Sequence, residues 1–346
     1  MPGGNSARSD PGAPAPDPGA HRARRSPWPQ GRPAEARAAR KVPDVPPAAA
    51  DAETAGPWAP IVVGEPVFEF EPKPPARGPY RPDTVFDGWS TRRLSVRLAS
   101  VRGYSHRYSG IPRQDDAQAA CHARSGAICF AVADGLSSAA RSHIGAAAAC
   151  QSAVDLMIRQ LSAGGPKINW MQLVEDTVSD LASWASYILN QDHVEPADVE
   201  AQLATTLVAG YVLPTAQGAV TSMIQIGDSS AWLLRGGKYY PVLAEKNDPG
   251  AQVISSAVSP LPRIPAVIKP AEFRMPPDSV LLAGSDGFGD PLGDGSGMVG
   301  QLFARHLASP LPPRALAHLL DFSRETFDDD RTLVALWQRP PEPGGT

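Results

Sequence analysis

The sequence has few cysteines and no long uninterrupted apolar segment. Only three of its 346 residues are cysteines, Cys121, Cys129 and Cys150, and this odd number without paired spacing fits reduced thiols rather than a disulfide framework. No apolar run reaches the ~20 residues of a membrane span, and none follows the basic N-terminal residues as in a secretion signal. These absences predict a soluble, cytoplasmic protein that contacts no membrane.

A strong excess of one charge is also missing. The net charge is −4 at pH 7, which disfavours a general nucleic-acid-binding protein. The two signs are unevenly distributed, because residues 1–41 carry eight Arg or Lys against three acidic residues, a net +5 that leaves −9 for the remainder. An acidic body is a candidate for binding divalent cations, and a solvated acidic surface is the alternative.

Proline, in contrast, is abundant and concentrated at one end of the chain. Of the 38 prolines, 19 lie in residues 1–85. Residues 1–56 contain almost no large apolar side chains, so we predict a disordered, proline-rich leader. Residues 57–91 place aromatic and β-branched residues between the prolines, which predicts an extended arm packed on a body. The body is assigned to residues 92–338 and a second disordered segment, the tail, to residues 339–346.

The body contains strand-like and helix-like patterns in an informative order. Alternating or continuous apolar residues predict strands, and apolar stripes at helical spacing predict helices. The predicted strands are 94–99, 127–133, 205–213, 219–226, 229–234, 238–243, 279–284 and 332–337, and the predicted helices are 139–163, 168–190, 297–308 and 312–326. This order is not a regular βα alternation, and it predicts an α+β fold of antiparallel sheets with helices packed on them.

Aspartates stand at the ends of several predicted strands. They are Asp115-Asp116, Asp134, Asp228, Asp286 and the run Asp328–Asp330. A carboxylate at the end of a buried strand is costly unless its charge is stabilised, and two such charges ~4 Å apart repel by roughly 4 kcal/mol at an effective dielectric constant near 20. Carboxylates gathered at one sheet edge would therefore need Mg²⁺ or Mn²⁺, which prefer oxygen ligands.

A pair of such cations has a clear chemical use. It lowers the pKa of a bridging water from ~15.7 toward neutrality and polarises a phosphoryl oxygen. The sequence shows no Gly-x-Ser-x-Gly element and no cysteine in a phosphate-binding loop. These features favour phosphoester hydrolysis by direct attack of metal-bound hydroxide, without a nucleophile supplied by the protein.

Six short motifs carry these aspartates and their neighbours in one order along the body. They are Arg113-Gln114-Asp115-Asp116-Ala117, Val132-Ala133-Asp134-Gly135, Ala204-Thr205-Thr206-Leu207, Ile226-Gly227-Asp228-Ser229, Gly284-Ser285-Asp286-Gly287-Phe288 and Asp329-Asp330-Arg331-Thr332-Leu333. Each motif alone is weak, but the ordered set resembles the metal-dependent Ser/Thr protein phosphatases of the protein phosphatase type 2C (PPM) class. The Arg-rich leader and the sequence Asp134-Gly135-Leu136-Ser137-Ser138 look like those of actinobacterial members. The resemblance implies an αββα sandwich of two mainly antiparallel sheets flanked by helices.

The resemblance also implies metal ligands. Asp134 would bridge two cations, and the Gly135 carbonyl would bind the second of them. Asp286 and Asp329 would complete the first site, although the run Asp328–Asp330 leaves the register of the last ligand open. Turn aspartates that cap strand ends are the structural alternative.

Three further aspartates have less definite roles. Asp115 and Asp116 match the acidic pair of the family, and one or both would act through bound water, with a surface turn as the alternative. Asp198 lies one residue from the position at which bacterial relatives hold a ligand of a third cation. Asp228 resembles a structural turn aspartate. Lone histidines such as His106 are more often structural than ligands.

Two departures from the family pattern concern the substrate. The phosphate-binding arginine is expected five residues before Asp116, where this chain has Ile111, so either Arg113 or Arg107 is a candidate for clamping the phosphate. Leu136 replaces the histidine that eukaryotic relatives use as a proposed general acid. Protonation of the leaving oxygen would then fall to water.

The combined prediction is a protein-serine/threonine phosphatase that uses two or three Mg²⁺ or Mn²⁺ ions. It would act in signal transduction on phosphoprotein substrates that a Ser/Thr kinase supplies. Two alternatives are kept: an inactive binding module of the same fold that recognises a kinase or phosphoprotein, and a hydrolase of small phosphates.

Overall fold

The structure is a computed structural model that describes residues 58–68, 70–74, 81–164, 167–243 and 259–340. The predicted leader and residues 341–346 of the predicted tail lie outside the described residues. In the described part the helices are α1 Tyr104–Ser109, α2 Ser142–Ser162, α3 Trp170–Leu189, α4 Pro196–Leu203, α5 Asp286–Leu292, α6 Met298–His306 and α7 Pro313–Leu320. None of these combines the length and apolarity that crossing a membrane requires.

The strands form two antiparallel sheets. They are β1 Thr84–Ser90, β2 Leu94–Val101, β3 Asp116–His122, β4 Ala127–Ala133, β5 Leu207–Thr215, β6 Gly218–Ile226, β7 Ser230–Arg235, β8 Lys238–Pro241, β9 Ala271–Met275, β10 Ser279–Gly284 and β11 Arg331–Gln338. One sheet has the order β1-β2-β11-β10-β7-β8 and the other β3-β4-β5-β6-β9. The predicted α+β class, with two antiparallel sheets and flanking helices, is confirmed.

Apolar side chains on alternating faces of the strands create a layered core. In β4, Phe130 packs between the two sheets, whereas Cys129 and its alternate neighbours pack against α2 and α3. The opposite face of the six-stranded sheet is covered by α5, α6 and α7, for example through Phe303. A strand buried on both faces has no polar alternation, which explains the continuous apolar run at 127–133. The layers are therefore helix, sheet, sheet, helix.

The segment before the body contributes directly to the six-stranded sheet. Strand β1, which lies inside the predicted arm, pairs with β2 along its whole length. Further upstream, the Val63 N–H donates to the Ser323 carbonyl at 3.0 Å, and the Ser323 N–H donates to the Ile61 carbonyl at 2.8 Å. The arm and body boundaries stay a prediction, but the described part of the arm is tied to the fold by backbone hydrogen bonds.

Two of the elements that sequence patterns missed, β3 and α5, have unfavourable local composition. Strand β3 reads Asp-Ala-Gln-Ala-Ala-Cys-His and contains no β-branched or aromatic residue. Helix α5 contains two glycines and Pro291, which are poor helix formers. Helix α7 ends at Leu320, earlier than the predicted 326. Tertiary packing rather than local propensity determines these elements.

Candidate metal centre

The order of strands and turns brings the aspartate motifs to one edge of the two sheets. Asp134 directly follows β4, Asp286 begins α5 one residue after β10 ends, and Asp329 lies just before β11. Neighbouring antiparallel strands alternate between beginning and ending at a given edge, so the end of β10 and the start of β11 coincide, with Gly284 paired to Leu333. Residues distant in the sequence therefore meet at one place.

A cavity of about 310 Å³ lies at this edge. Its lining comprises His106, Gln114, Asp134, Gly135, Leu136, Ser137, Thr206, Gly227, Asp228, Pro260, Asp286 and Asp329. The structure thus brings together four of the predicted metal-site residues, namely Asp134, Gly135, Asp286 and Asp329. Asp228, interpreted as a turn residue, also lines the cavity.

The backbone of Asp134 is fixed by two threonines that precede β5. The Asp134 N–H donates to Thr206 Oγ1 at 2.9 Å, and the Asp134 carbonyl accepts from Thr205 Oγ1 and from the Thr206 N–H, each at 2.8 Å. Thr206 Oγ1 also lies 2.7 Å from Ser229 Oγ. The sequence pattern placed both threonines in a predicted strand, 205–213, whereas in the structure they precede β5 and their buried hydroxyls hold the central aspartate in place.

The carboxyls of the site disfavour each other's ionisation. Desolvation raises the pKa of Asp134 well above its usual value, and the charges of Asp115, Asp286 and Asp329 raise it further. Desolvation and the neighbouring Asp330 raise the pKa of Asp329 to about 6. Because Asp329 as a residue is exposed, we attribute its shift mainly to the like charges. A bound cation would relieve this repulsion.

Asp115 provides the test of whether the residues fit a cation. It is only 1% exposed, and its Oδ2 atom has no hydrogen-bond partner among the described residues. Burial and then the charge of Asp330 raise its pKa well above the usual value. A buried carboxylate oxygen without a donor, beside three further carboxyls, is a donor set that suits Mg²⁺ or Mn²⁺. The site therefore fits the metals that the sequence predicts.

Asp116, the other member of the acidic pair, has a different environment. Neither Asp115 nor Asp116 is among the residues that line the cavity, but Asp116 Oδ2 lies 2.8 Å from a guanidinium nitrogen of Arg81. Arg113 is 2% exposed and donates to the Asp115 carbonyl at 3.1 Å, with Asp116 Oδ1 at 3.9 Å. Of the two acidic residues, Asp115 is the one with an oxygen available to a metal.

The remaining predicted site residues lie elsewhere. Arg107 pairs with Asp83 at 2.8 Å and with Asp321 at 2.7 Å, and neither Arg107 nor Arg113 lines the cavity. Asp198 lies in the first turn of α4, where it forms a capping box with Glu195. The structure does not bring these three residues into the lining of the cavity.

Comparison with known proteins identifies the family of this chain. The family model of protein phosphatase 2C matches residues 102–322. The chain belongs to the protein phosphatase 2C family. No curated protein matches it.

Several solved phosphatase structures resemble this protein phosphatase 2C chain at low identity. The Mycobacterium tuberculosis Ser/Thr phosphatase PstP/Ppp shares 17% identity over 72% of this chain and 100% of its own, with a TM-score of 0.46. Stp1 from Staphylococcus aureus shares 13% over 71% and 96%, with a TM-score of 0.49. RsbX in complex with magnesium shares 13% over 74% and 100%, with a TM-score of 0.47.

This protein phosphatase 2C chain also has a buried ion pair beside the cavity that sequence reasoning did not find. His106 Nδ1 lies 2.9 Å from Asp330 Oδ1, in an ion pair whose geometry does not meet that of a hydrogen bond. Asp330 accepts hydrogen bonds from the N–H groups of Gly103 and Gln114. Although His106, Asp329 and Asp330 place ligand atoms within 4.8 Å of one another, both oxygens of Asp330 are already engaged. We therefore interpret Asp330 as a residue that holds the loop Asp328–Asp330, called the ligand loop below, in position.

The ion pair predicts a pH-dependent stability of the metal-free protein. Burial alone would lower the pKa of His106, but Asp330 raises it to about 9. The pair therefore stabilises the fold fully below pH ~6.5, and this contribution of roughly 3 kcal/mol is lost as the pH rises through about 9. The check is the free energy of unfolding in chelator between pH 6 and 9.5, for the native chain and His106→Gln.

The difference between the two proteins isolates the contribution of His106. The raised pKa values of Asp115 and Asp134 also lower the free energy of unfolding as the pH increases, because the folded state disfavours their ionisation. Both carboxyls are present in both proteins, so most of their contribution cancels, and the difference reports His106 together with its interaction with Asp115. A difference that stays constant across this range would contradict the assignment of the ion pair.

Proposed function

We propose that this chain is a Mg²⁺- or Mn²⁺-dependent phosphatase that removes phosphate from serine or threonine in proteins. The observation that carries the proposal is the single cavity that collects Asp134, Gly135, Asp286 and Asp329, with the partnerless oxygen of Asp115 close by. Membership of the protein phosphatase 2C family supports the same activity.

The proposed ligands follow the positions of these groups. Asp134 would be shared by two cations, with the Gly135 carbonyl and Asp115 on one side and Asp286 and Asp329 on the other. When bound, such cations lower the pKa of coordinated water and polarise a phosphoryl oxygen. The chain's own contribution is to hold several carboxyls in fixed positions, since Thr205 and Thr206 fix Asp134 and the pair of Asp330 with His106 supports Asp329.

Three of the lining carboxyls, those of Asp134, Asp286 and Asp329, are the proposed metal ligands, which leaves the hydroxyls as the other nucleophiles to consider. Among the described lining residues the hydroxyls are Ser137 and Thr206, and that of Thr206 is engaged by the Asp134 N–H and by Ser229. His106, the lining residue that could act as a base, is paired with Asp330. This arrangement favours direct attack by water over a covalent phospho-enzyme.

The proposed phosphate contacts leave out the two predicted arginines. Arg107 is held between Asp83 and Asp321, and Arg113 donates to a carbonyl beneath the site. Within the described lining, His106 is the residue that can carry a positive charge.

Substrates are proposed to be phosphoproteins that a Ser/Thr kinase produces in cytoplasmic signal transduction. The free state of Cys121, Cys129 and Cys150 fits a reducing compartment.

The decisive experiment compares substrates and metals on the purified full chain. We expect phosphate release from a phosphothreonine peptide in Mn²⁺ to exceed that in excess chelator at least a hundredfold, and to exceed release from ATP at least tenfold. Calorimetric titration with Mn²⁺ is run in parallel. Metal binding without turnover would instead indicate a binding module, and preference for ATP would indicate a hydrolase of small phosphates.

A further inference from the structure

The geometry points to Arg81 as a positioning residue that fixes the Asp115-Asp116 segment for metal binding. This inference rests on the proposed function, because it assigns Arg81 a role toward the same cations. Arg81 lies outside the residues 102–322 that match the family, in the proline-rich stretch before β1. It belongs to none of the six motifs, and no local pattern marks it.

The guanidinium of Arg81 joins three segments. One terminal nitrogen donates to the His143 carbonyl at 2.7 Å, near the start of α2. The other donates to the Asp115 carbonyl at 2.7 Å and to Asp116 Oδ2 at 2.8 Å. The side chain is only 12% exposed. A planar fork that satisfies three fixed acceptors restrains all of them at once, which a flexible single-nitrogen cation cannot do.

The restrained segment is the one that presents Asp115. Arg113 donates to the same Asp115 carbonyl at 3.1 Å, so two guanidiniums hold this peptide unit from the side of its oxygen. The Asp115 side chain is buried and keeps one oxygen without a hydrogen-bond partner among the described residues. The hydroxyls of Ser285 and Thr332 interact with the Asp115 carboxyl, and the backbone that carries it is restrained by Arg81 and Arg113.

Arg81 also determines what Asp116 can do. A carboxylate oxygen in a short, charge-assisted contact with a guanidinium is less available to a cation. Neither Asp115 nor Asp116 is in the cavity lining, but the contact with Arg81 and the Ala117 N–H engage both carboxylate oxygens of Asp116. Asp115, whose Oδ2 has no hydrogen-bond partner among the described residues, is therefore the ligand that we infer from this segment. Partners that orient metal ligands in this way commonly change metal affinity 10- to 100-fold when they are removed.

Arg97 provides a matched control. It is likewise largely shielded from solvent and donates to three carbonyls, those of Leu311 at 2.6 Å, Trp89 at 3.0 Å and Val96 at 2.7 Å. None of these acceptors belongs to the metal centre. Loss of Arg97 therefore costs comparable hydrogen bonding without touching the Asp115-Asp116 segment.

The experiment is calorimetric titration of the full chain with Mn²⁺, together with melting in chelator. Arg81→Gln is expected to weaken Mn²⁺ binding about 10- to 100-fold. Arg81→Lys, which keeps the positive charge but not the planar guanidinium, is expected to lose less Mn²⁺ affinity than Arg81→Gln. Arg97→Gln is expected to lower the melting temperature while its Mn²⁺ affinity stays within twofold of the native chain.

Several outcomes would overturn the inference. Equal affinity losses in Arg81→Gln and Arg97→Gln would reduce Arg81 to a structural role, and an unchanged affinity in Arg81→Gln would remove it from the site. If Arg81→Gln fails to fold, a Mn²⁺ affinity of Arg81→Lys equal to that of the native chain would refute the inference. A native chain that binds Mn²⁺ but does not hydrolyse phosphopeptides refutes the proposed function alone, whereas one that binds no Mn²⁺ refutes both.

Discussion

Asp134→Asn is expected to abolish phosphopeptide and aryl phosphate hydrolysis while the protein keeps its fold. Asp134 lines the same cavity as Asp286 and Asp329, and its loss removes the group proposed to be shared by both cations. We expect a decrease in turnover on the order of a thousandfold or more, which corresponds to about 4 kcal/mol of transition-state stabilisation. The measurement is p-nitrophenyl phosphate hydrolysis at saturating Mn²⁺.

The stability of the same variant provides an independent check. In the metal-free protein, neighbouring carboxyls raise the pKa of Asp134 and so disfavour its charge. An uncharged amide removes this repulsion, so the melting temperature in chelator should be equal to or above that of the native chain. Asp278→Asn, which alters an exposed ion pair with Arg235, is the matched control and should leave turnover unchanged. Native turnover in Asp134→Asn would refute the proposed metal centre.

Gly103→Ala is expected to have the second largest effect, because the added Cβ atom would clash with its neighbours and not because the backbone is strained. Gly103 has φ −68° and ψ 156°, which alanine adopts readily. A Cβ atom there would lie 2.3 Å from the Asp329 carbonyl carbon and 2.4 Å from the Asp328 oxygen. The ligand loop would have to move, and with it the Gly103 N–H that donates to Asp330 at 2.6 Å. Overpacking of this kind typically costs about 1–3 kcal/mol.

Gly103→Ala should affect Mn²⁺ binding as well as the stability of the fold. We expect Gly103→Ala to weaken Mn²⁺ binding at least tenfold, as measured by calorimetry, and to lower the free energy of unfolding by ~2 kcal/mol. Gly297 offers a close control, because it also precedes a helix, has φ −71° and has no atom within 4 Å of an added Cβ. Gly297→Ala should leave Mn²⁺ affinity unchanged. Similar affinities in both variants would show that the ligand loop tolerates displacement.

Much of the fold, and the position of the main candidate ligands at one cavity, could be predicted because both depend on short-range patterns. The apolar run of β4 ends at Asp134-Gly135 and that of β10 ends shortly before Asp286-Gly287, so each aspartate could be placed at a strand end from the sequence alone. Antiparallel pairing then brings those ends to one edge. The ordered motifs supplied the remaining ligand, Asp329, which the structure places in the same cavity.

The residues that support the ligands could not be predicted, because their partners are backbone groups or distant side chains. Arg81 binds two carbonyls and one carboxylate, and a carbonyl is present at every position of a sequence. His106 depends on Asp330, which lies more than two hundred residues away along the chain. Spacing suggested Arg107 for the phosphate, whereas the fold pairs it with Asp83 and Asp321. Such pairings depend on tertiary packing alone.

The pairing of β2 with β11 has a consequence for biosynthesis. Val101 at the end of β2 pairs with Arg331 at the start of β11, so the loops carrying Gly103 and Asp329 become neighbours only through this contact. A nascent chain has β2 early but receives β11 last, and non-local pairings of this length form slowly. A chain that ends before β11 therefore lacks one wall of the cavity, and the proposed metal centre can assemble only after β11 has been synthesised.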